Sequence, residues 1–488
     1  MTAIRFGTDG WRGIIAQEVT FDTVRQVARA MARRVRAESG GGSPRLIVGH
    51  DTRFLSSQFA RAAAEAIAAE GLSVSLASAF APTPAFSYAV VDRGAAGALV
   101  ITASHNPPEY SGVKFKSRFG GSAPVSFTQS VEAEIERLGA ERRAPSAEQD
   151  EPRIEWFDAR EPWLDRLEAL VDPAPIGRSG IRVVLDAMYG ASQGLLAARL
   201  RRAGCQVREI HAELNPGFGG LQPEPIPANL GPALAAVTGW DGPGIRVGFA
   251  FDGDSDRVAP IDETGRIVSP HQVLALLVRH LVRRRNQRGP IVKAFNIGRM
   301  VELEAAAAGL PLVVTPVGFK FIAEAMQEQD ALVGGEESGG FAIRGHIPER
   351  DPLLVALLLL ECMAMTGTSL GELVGEMEAE YGLHRYGRAD LCLASLADRD
   401  QVVTDIVSSP PVGIDGQDVR RVETLDGVKL VRADESWVML RASGTEPLLR
   451  IYAEAPDEQA VRGLLDWGRR MATKASTGQG GGTAGRCV

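Results

Sequence analysis

The sequence of 488 residues predicts an α/β protein in which three related α/β/α domains with mixed, largely parallel sheets precede a smaller C-terminal α+β domain. Two observations lead to this prediction. The chain is too long for one hydrophobic core. One pattern also occurs three times: an apolar strand, a polar loop, an Ala- and Leu-rich helix, a glycine and a second apolar strand. Strands that are apolar throughout are typical of parallel sheets covered by helices on both faces.

Each copy of the pattern places a glycine at the point where its helix ends. A glycine there readily adopts the left-handed conformation that terminates many helices. Strand–helix–strand units also occur in unrelated α/β proteins, so the pattern indicates a fold class and not a family. The predicted helices and their glycines are residues 57–70 with Gly71, 194–203 with Gly204, and 301–308 with Gly309.

Changes in composition along the chain indicate the domain boundaries. The polar segment 139–153 separates the first copy of the pattern from the second, and short strands such as GVKLV and WVMLRAS distinguish the C-terminal part. The last residues, 473–488, are rich in Gly, Ser and Thr and are expected to be disordered. We predict α/β/α domains over residues 1–150, 151–257 and 258–379, and the α+β domain over residues 380–472.

The charge and hydropathy of the chain exclude several classes of function. There are 61 acidic and 53 basic residues, and the resulting net charge of −8 argues against an extended nucleic-acid-binding surface. The N-terminus has no apolar stretch of the kind that makes a secretory signal. The most apolar segment, 353–360, is followed at once by Glu361; it is too short to cross a bilayer and predicts a buried helix. We expect a cytoplasmic protein that binds neither membranes nor nucleic acid.

The first candidate site is the segment ITASHNPPEYSGVKF, which follows an apolar strand. Because Pro107 and Pro108 cannot continue a strand, the chain must turn there and present Ser104 at the carboxyl end of that strand. A hydroxyl at this position is suited to covalent catalysis, with Lys114 close enough in sequence to handle a proton or an anionic oxygen. The alternative is a serine that only caps a turn.

The second candidate site is the acidic loop in VGFAFDGDSDRVAPID. Asp252, Asp254 and Asp256 alternate at the end of another apolar strand. Three carboxylates this close repel one another unless a cation lies among them, and oxygen ligands favour a hard ion such as Mg²⁺. An EF-hand does not fit, because Arg257 occupies the position that needs glycine and strands flank the loop. The alternative is a solvated acidic turn.

Two further polar turns are candidate ligand-binding segments. Glu336 and Ser338 lie in a glycine-rich loop, LVGGEESGG, where a polar ligand can approach closely. His346, Arg350 and Asp351 follow at the next turn. In the C-terminal domain one turn combines a guanidinium, two hydroxyls and exposed backbone amides, which suit a phosphate dianion. Either turn could instead be a solvated loop. The C-terminal candidates are Arg441, Ser443, Gly444 and Thr445, with Arg450 on the next strand.

Taken together, these segments resemble the α-D-phosphohexomutase family over nearly the whole chain. TASHNP resembles its phosphoserine loop, DGDSDR its metal loop, GEESGG its sugar-selecting loop and RASGTEP its phosphate-binding loop. FGTDGWRG with Arg12, VGHDTR with Arg53 and TPVGFK with Lys320 are similar to further active-site segments of that family. All of these motifs occur in the order in which the family has them.

The resemblance implies a mechanism and a cofactor. Phosphorylated Ser104 would donate its phosphoryl group to a hexose monophosphate, and one Mg²⁺ ion would be held by Ser104, Asp252, Asp254 and Asp256. Glucose 1,6-bisphosphate would be the activating intermediate. Arg12, His105, Lys114 and Arg257 would act beside the transfer site, and the remaining candidates would bind substrate. Lys114, His105 and His346 are all candidates for the general base, and the sequence does not choose among them.

The sequence departs from the family pattern at two places, and the first of them concerns the choice of sugar. Relatives that accept mannose and glucose often have GEMSGH in the sugar-selecting loop, and glucosamine mutases have GEQSGH, whereas Gly340 stands here in place of the histidine. GEES and HIPERD instead resemble phosphoglucomutases. YSGVK, with Ser111 in place of the usual asparagine, is the second departure. The sequence therefore predicts a phosphoglucomutase, with a phosphomannomutase or a dual-specificity enzyme as the alternative.

Two other classes of protein remain possible at this stage. A phosphatase would allow water to reach phosphorylated Ser104 and would release inorganic phosphate faster than it isomerises the sugar. A sugar-phosphate sensor without activity would not need Ser104 together with three metal carboxylates. We expect small hexose phosphates as the partners and a monomer or weak homodimer as the assembly.

Overall fold

The computed structural model describes residues 4–7, 9–40, 44–140, 154–444 and 447–477. The chain divides into two compact units. Unit 1 consists of Met1–Val292 and Gly318–Leu373, and unit 2 consists of Lys293–Val317 and Val374–Val488. Thr445 and most of the predicted tail lie outside the described residues.

The first layered group in unit 1 has strands β1 (Trp11–Ile14), β2 (Arg45–His50), β3 (Ser73–Ala77), β4 (Gly97–Ile101), β5 (Tyr110–Lys116) and β6 (Ile154–Phe157). Its helices are α1 (Phe21–Glu38), α2 (Ser56–Ala68), α3 (Thr83–Asp92), α4 (Val125–Ala140) and α5 (Arg160–Leu170). The sheet order is β1-β5-β4-β2-β3-β6, and only β5 runs antiparallel to its neighbours. Because β6 pairs with β3, the first sheet extends past residue 150, where we predicted that domain I ends.

The second group in unit 1 repeats this arrangement with a smaller sheet. Its elements are α6 (Pro173–Arg178), β7 (Arg182–Asp186), α7 (Leu195–Arg202), β8 (Gln206–Ile210), α8 (Gly231–Thr238), β9 (Arg246–Phe251) and β10 (Val258–Ile261). The sheet order is β10-β9-β7-β8, with β7 parallel to β8 and β9 and with β10 antiparallel to β9. The carboxyl end of β9 leads directly into the acidic loop.

The third group has the elements α9 (Pro270–Arg283), β11 (Ile291–Ala294), α10 (Arg299–Ala307), β12 (Leu312–Thr315), α11 (Phe319–Glu328), β13 (Val333–Gly335), β14 (Phe341–Ile343), α12 (Pro352–Thr366) and α13 (Leu370–Tyr381). The division between the units passes through β11. In unit 1, β13 pairs with β14 in antiparallel fashion, and the Leu332 amide donates to the Pro290 carbonyl beside the start of β11. In unit 2, the Phe295 amide donates to the Thr315 carbonyl at the end of β12.

Helix α12 contains the most apolar segment of the chain. Residues 353–360 are all buried, as the sequence predicted, and the Asp351 side chain caps the helix by accepting from the Leu354 amide. Among the described residues no single helix has the length and hydropathy of a membrane span, and only the bent pair α12 and α13, counted together, reaches both.

The three glycines that follow the repeated helices have the predicted conformation. Gly71, Gly204 and Gly309 have φ values of 86°, 100° and 62°, in the left-handed region that L-residues rarely adopt. The helices themselves begin and end within one to two residues of the predicted positions. The structure therefore confirms the three repeated helices, each followed by a glycine in the left-handed conformation.

Unit 2 contains the predicted α+β module. Its elements are β15 (Arg385–Cys392), α14 (Leu396–Ser408), β16 (Gly413–Ile414), β17 (Gln417–Glu423), β18 (Val428–Arg432), β19 (Trp437–Ala442), β20 (Leu448–Ala455) and α15 (Glu458–Thr477). The strands form an antiparallel sheet in the order β15-β20-β19-β18-β17-β16. Helix α15 includes the first residues of the segment that we predicted to be a disordered tail.

A buried lysine lies among aromatic rings in unit 2. The Nζ atom of Lys429 is 4.2 Å from the ring centroid of Trp437 and 5.4 Å from that of Phe295, and it donates to the Phe295 carbonyl at 3.4 Å. Burial, followed by the nearby charge of Lys293, lowers the pKa of Lys429 to about 8. The folded protein therefore binds this proton less tightly than the unfolded chain does.

We expect Lys429→Met to stabilise the protein at pH 7 and to lose this effect by pH 10.5. At pH 7 the lysine is protonated in both states, so the cost of burying its charge, roughly 3 kcal/mol for this pKa shift, is fully present. Between pH 8 and 10.5 the folded protein releases the proton while the unfolded chain keeps it, so wild-type stability rises. Thermal unfolding midpoints of both proteins across this range test the prediction, and a pH-independent difference would contradict it.

Candidate active site

The candidate nucleophile Ser104 lies in a turn at the carboxyl end of β4, as the prolines predicted. Its φ of 53° places a non-glycine residue in the left-handed region, which costs conformational energy that the surrounding contacts must offset. The Ser104 amide donates to the Thr102 hydroxyl at 2.9 Å, and the Ser104 hydroxyl donates to Asp252 Oδ2 at 2.9 Å. The fold thus joins the serine loop of one sheet to the acidic loop of the next.

The buried guanidinium of Arg53 binds the loop that carries Ser104. Arg53 donates to the carbonyl oxygens of Ser104 and Asn106 at 2.7 and 2.6 Å, and to those of Pro107 and Tyr110 at 2.7 and 3.0 Å. Its side chain has no exposed area. A fork of donors that satisfies four carbonyl groups fixes the course of the loop, and a lysine could not reproduce these contacts.

The acidic loop after β9 brings three carboxylates together. One oxygen from each of Asp252, Asp254 and Asp256 lies within 4.8 Å of the others, and all three residues are fully buried. Asp254 Oδ1 and Asp256 Oδ1 have no hydrogen-bond partner among the described residues. Buried carboxylate oxygens without partners at this spacing fit a hard divalent cation.

A glycine in the acidic loop permits its contact with the serine loop. A Cβ atom at Gly253 would lie 2.5 Å from the Ser104 carbonyl oxygen, which is closer than real Cβ atoms approach. The Gly253 amide donates to the Pro223 carbonyl at 3.1 Å. Only glycine therefore allows the two loops to lie side by side.

Lys114 lies among the carboxylates. Its Nζ atom is 2.8 Å from Asp254, 2.7 Å from Asp256 and 3.0 Å from Asp9. Burial by itself would lower the pKa of Lys114, but these three carboxylates raise it above its ordinary value. Burial by itself would raise the pKa of Asp254, but the adjacent charge of Lys114 lowers this pKa below its ordinary value. Asp252 lies farther from this cation, and burial together with Asp256 and Asp254 raises its pKa.

The remaining predicted catalytic residues lie around Ser104. The His105 Nδ1 atom is 3.3 Å from the Ser104 hydroxyl, and Arg12 donates to the Asn106 side chain at 2.5 Å. Burial, with the charges of Arg257 and Arg12 next in order, lowers the pKa of His105 well below its ordinary value. A neutral imidazole next to the hydroxyl can accept its proton.

Glu224 is a site residue that the sequence did not indicate. Its Oε1 atom lies 3.5 Å from Arg257 Nη1 and 3.9 Å from His105 Nε2, so one carboxylate faces two predicted catalytic residues. The segment that carries it, GGLQPEPIP, contains several prolines and glycines and reads as an ordinary loop. The only available signal was an acid between two prolines, which does not distinguish a ligand-binding turn from a solvated one.

The predicted sugar-selecting loop lies at the carboxyl end of β13. Ser338 donates to Glu336 Oε1 at 2.6 Å, so the two predicted substrate-binding side chains already interact. Arg350 reaches the same Glu336 oxygen at 3.4 Å and Asp256 Oδ2 at 2.8 Å. Arg350 was noted only as part of the turn after this loop, and Asp9 was not selected as a site residue, because their contacts join segments that are far apart in the chain.

His346 lies beside the start of α12. Its side chain is 1% exposed, and Nε2 lies 2.9 Å from Asp351 Oδ2, which also accepts from the Trp163 indole at 2.7 Å. Its ring stacks on Tyr88 with the centroids 5.9 Å apart. These contacts connect His346 to Asp351, the N-cap residue of α12. Its predicted role in proton transfer or substrate binding stays a prediction.

Lys320 borders two cavities of unit 1. Its Nζ atom lies 5.2 Å from the ring centroid of Phe321, and it lines a cavity of about 1110 Å³ together with Phe127. It also lines a small second cavity with Asp9, the residue that contacts Lys114. The predicted sugar-orienting lysine is therefore near the edge of the acidic cluster.

The predicted phosphate-binding residues of unit 2 form a separate cluster. Arg441 and Arg450 lie directly opposite each other on β19 and β20, and Arg441 Nε donates to Asp426 at 2.8 Å. The Ser443 carbonyl accepts from Arg399, and a Cβ atom at Gly444 would meet no atom of the described residues within 4 Å. Two arginines side by side on neighbouring strands, next to a turn with free space, suit the binding of an anion. Thr445 lies outside the described residues.

Comparison with known families accounts for nearly the whole chain. The four domain models of phosphoglucomutase/phosphomannomutase match in order: α/β/α domain I at residues 3–142, domain II at 161–265, domain III at 269–381 and the C-terminal domain at 393–466. The chain belongs to this family. The resemblance to the α-D-phosphohexomutases is confirmed, and with it the prediction of a mutase, an enzyme of the isomerase class.

Relatives with different named sugars match over similar lengths. A phosphoglucomutase/phosphomannomutase of Thermococcus kodakarensis is 31% identical over 97% of this chain and 99% of its own. A phosphoglucosamine mutase of Rubrobacter xylanophilus is 33% identical over 98% of both chains. A solved structure from Thermus thermophilus, provisionally named a phosphomannomutase, is 39% identical with a TM-score of 0.83, covering 97% of this chain and 99% of its own. Sequence similarity alone does not distinguish the sugars.

Proposed function

We propose that this protein is a phosphoglucomutase that interconverts glucose 1-phosphate and glucose 6-phosphate. The observation that carries the proposal is the 2.9 Å hydrogen bond from the Ser104 hydroxyl to Asp252, within a buried cluster of three carboxylates at the ends of two strands. A hydroxyl that only caps a turn has no need of such a cluster. Phosphoryl transfer needs both a carrier and compensation for the charge of the transferred group.

The proposed reaction consists of two transfers. The bond between phosphorus and Ser104 Oγ breaks as a free hydroxyl of the hexose monophosphate bonds to that phosphorus. The proton of that hydroxyl would pass to His105, and Ser104 Oγ would take up a proton as it leaves. The product is a hexose 1,6-bisphosphate, glucose 1,6-bisphosphate for the proposed substrate. After this intermediate turns over, Ser104 takes its other phosphoryl group. Arg12, Lys114 and Arg257 would orient the phosphoryl oxygens during both transfers.

Ser104, Asp252, Asp254 and Asp256 would hold one Mg²⁺ ion. The Oδ1 atoms of Asp254 and Asp256, which have no hydrogen-bond partner among the described residues, support this assignment. When bound, the ion would offset negative charge on the transferred phosphoryl group. Lys114 bridges Asp254 and Asp256, so its ammonium and the ion would share these carboxylates.

Of the two histidines considered as general base, we propose His105. Its Nδ1 atom lies 3.3 Å from the Ser104 hydroxyl, whereas His346 contacts Asp351 and Tyr88. A candidate base must be within reach of the proton that it removes. We assign His346 to positioning Asp351 at the start of α12.

The substrate contacts are proposed from motif and local geometry. Glu336 would accept hydrogen bonds from sugar hydroxyls, and Ser338 would donate a hydrogen bond to them. Lys320 would help to orient the ring. In unit 2, Arg441, Ser443, Gly444, Thr445 and Arg450 would bind the phosphate that is not transferred. The five-segment division of the chain at residues 150, 257, 379 and 472 stays a prediction, although β6 pairs within the first sheet and α15 continues to Thr477.

We expect kcat/KM for glucose 1-phosphate to exceed that for mannose 1-phosphate or glucosamine 1-phosphate by about tenfold or more. Gly340 and the GEES sequence support this order, because a site built for particular hydroxyl contacts discriminates strongly when one is misplaced. Side-by-side rates with the three substrates test it. A mannose 1-phosphate rate equal to or above the glucose rate would favour the phosphomannomutase or dual-specificity alternative.

A further inference from the structure

Gly340 is in close contact with the side chain of Arg350. A Cβ atom at Gly340 would lie 2.3 Å from Arg350 Cδ and 2.6 Å from its Cγ. Both atoms belong to the middle of the side chain, whose far end is held, so they cannot move away freely. The lack of a side chain at position 340 is therefore what admits Arg350 to its present place.

The guanidinium of Arg350 is fixed by four carboxylates. It lies 2.5 Å from Asp9, 2.8 Å from Asp256, 3.4 Å from Glu336 and 3.3 Å from Glu349, and its side chain is 4% exposed. The face of the guanidinium lies 5.1 Å from the ring centroid of Phe319. Such a buried, multiply paired arginine has one geometry available to it.

Two of these carboxylates belong to different functional loops. Asp256 is a proposed metal ligand, and Glu336 is a proposed acceptor for sugar hydroxyls. We infer that Arg350 is a positioning residue that couples the metal loop to the sugar-selecting loop, and that Gly340 is required because it leaves room for this bridge. The inference rests on the proposed mutase function for its consequence in catalysis, but not for the bridge itself.

The bridge has opposite consequences for the two ligands. Arg350 places a positive charge beside a metal carboxylate, so its removal should strengthen Mg²⁺ binding. The same removal leaves Glu336 without its cationic partner and free to turn away from the sugar, so KM for the hexose phosphate should rise more than kcat falls. General damage to the fold would weaken both interactions.

The steric part of the inference is tested by a double-mutant cycle on the unfolding midpoint. Gly340→Ala should lower the midpoint by about 4 °C or more in the wild-type background, because it displaces Arg350. In an Arg350→Ala background the same change should cost about 1 °C or less, because the obstructing atoms are gone. Gly231→Ala serves as the control, since a Cβ atom there meets no described atom within 4 Å. Equal costs in both backgrounds would overturn the steric coupling.

If Arg350→Ala does not fold, Arg350→Lys replaces it in the cycle. Lysine keeps the Cγ and Cδ atoms and an ammonium that can still contact Asp9 and Asp256, but it lacks the second nitrogen that reaches Glu336. Because the far end of the side chain stays held, Gly340→Ala should remain about as costly in this background as in wild type. A loss of that cost would contradict the steric account.

The electrostatic part is tested by calorimetric titration with Mg²⁺ alone, which requires no turnover. We expect Arg350→Ala to bind Mg²⁺ more tightly than wild type does, and Arg350→Lys, used if the alanine variant does not fold, to bind it about equally. Either variant should raise KM for glucose 1-phosphate about tenfold. Weaker Mg²⁺ binding with unchanged KM would refute the bridge. Absence of isomerisation in the wild type would instead refute the proposed function and leave the cycle and the titration interpretable.

Discussion

Ser104→Ala is expected to abolish nearly all isomerisation while leaving the protein folded. The substitution removes the proposed phosphoryl carrier, so kcat should fall by roughly a thousandfold or more, about 4 kcal/mol in barrier height. The lost hydrogen bond to Asp252 should have a smaller effect on folding, about 1 kcal/mol. Initial rates with glucose 1-phosphate and a thermal unfolding curve measure the two effects separately.

Ser75→Ala is the matched control for this substitution. Ser75 is also fully buried, but it lies within β3 and its hydroxyl has no partner in the described part of the chain. We expect this variant to keep wild-type turnover. Retention of more than about a tenth of wild-type kcat by Ser104→Ala, a loss below about 1.4 kcal/mol, would rule out the covalent route. Release of inorganic phosphate by wild type faster than isomerisation would instead identify a phosphatase.

The second large effect is expected at the acidic loop. Exhaustive chelation should eliminate turnover, and Asp254→Asn should raise the Mg²⁺ concentration needed for half-maximal activity by about tenfold or more, because it removes one of three anionic ligands. A readout without turnover is also available. Mg²⁺ bound to the folded state should raise the unfolding midpoint of the wild type, and this increase should shrink in Asp254→Asn.

Asp262→Asn provides the comparison for Asp254→Asn. Asp262 is similarly buried and follows β10, but its Oδ1 atom accepts hydrogen bonds from the amides of Thr264 and Arg266, which the asparagine oxygen can also accept. The Mg²⁺ dependence of this variant should match wild type. Undiminished turnover of the wild type after complete chelation would show that the carboxylates form a structural cluster without a metal.

Local sequence signals were sufficient to predict those features of the structure that depend on residues close together in the chain. The glycines after the repeated helices, the turn at Ser104 and the acidic loop after β9 all lie where the sequence placed them. Helix ends, proline turns and strand ends are determined by residues a few positions apart, and such preferences can be read directly from one chain. The order of the motifs likewise sufficed to indicate the family.

The contacts within the site were not accessible in the same way. Arg350 and Asp9 are 341 positions apart and Lys114 and Asp256 are 142 apart, yet both pairs form buried ion pairs. Nothing in the local sequence of Arg350 distinguishes it from a solvated charge, and His346 carried the same kind of signal although it packs against Asp351.

By itself, the sequence determined the class of fold, the family and the chemical groups that the site contains, because these depend on residue type and on order along the chain. Only the tertiary structure decided which charges neighbour one another and which side chains have room. Sheet pairing brings the carboxyl ends of separate strands together, and close packing then allows a single arrangement there, in which Gly340 makes space for Arg350.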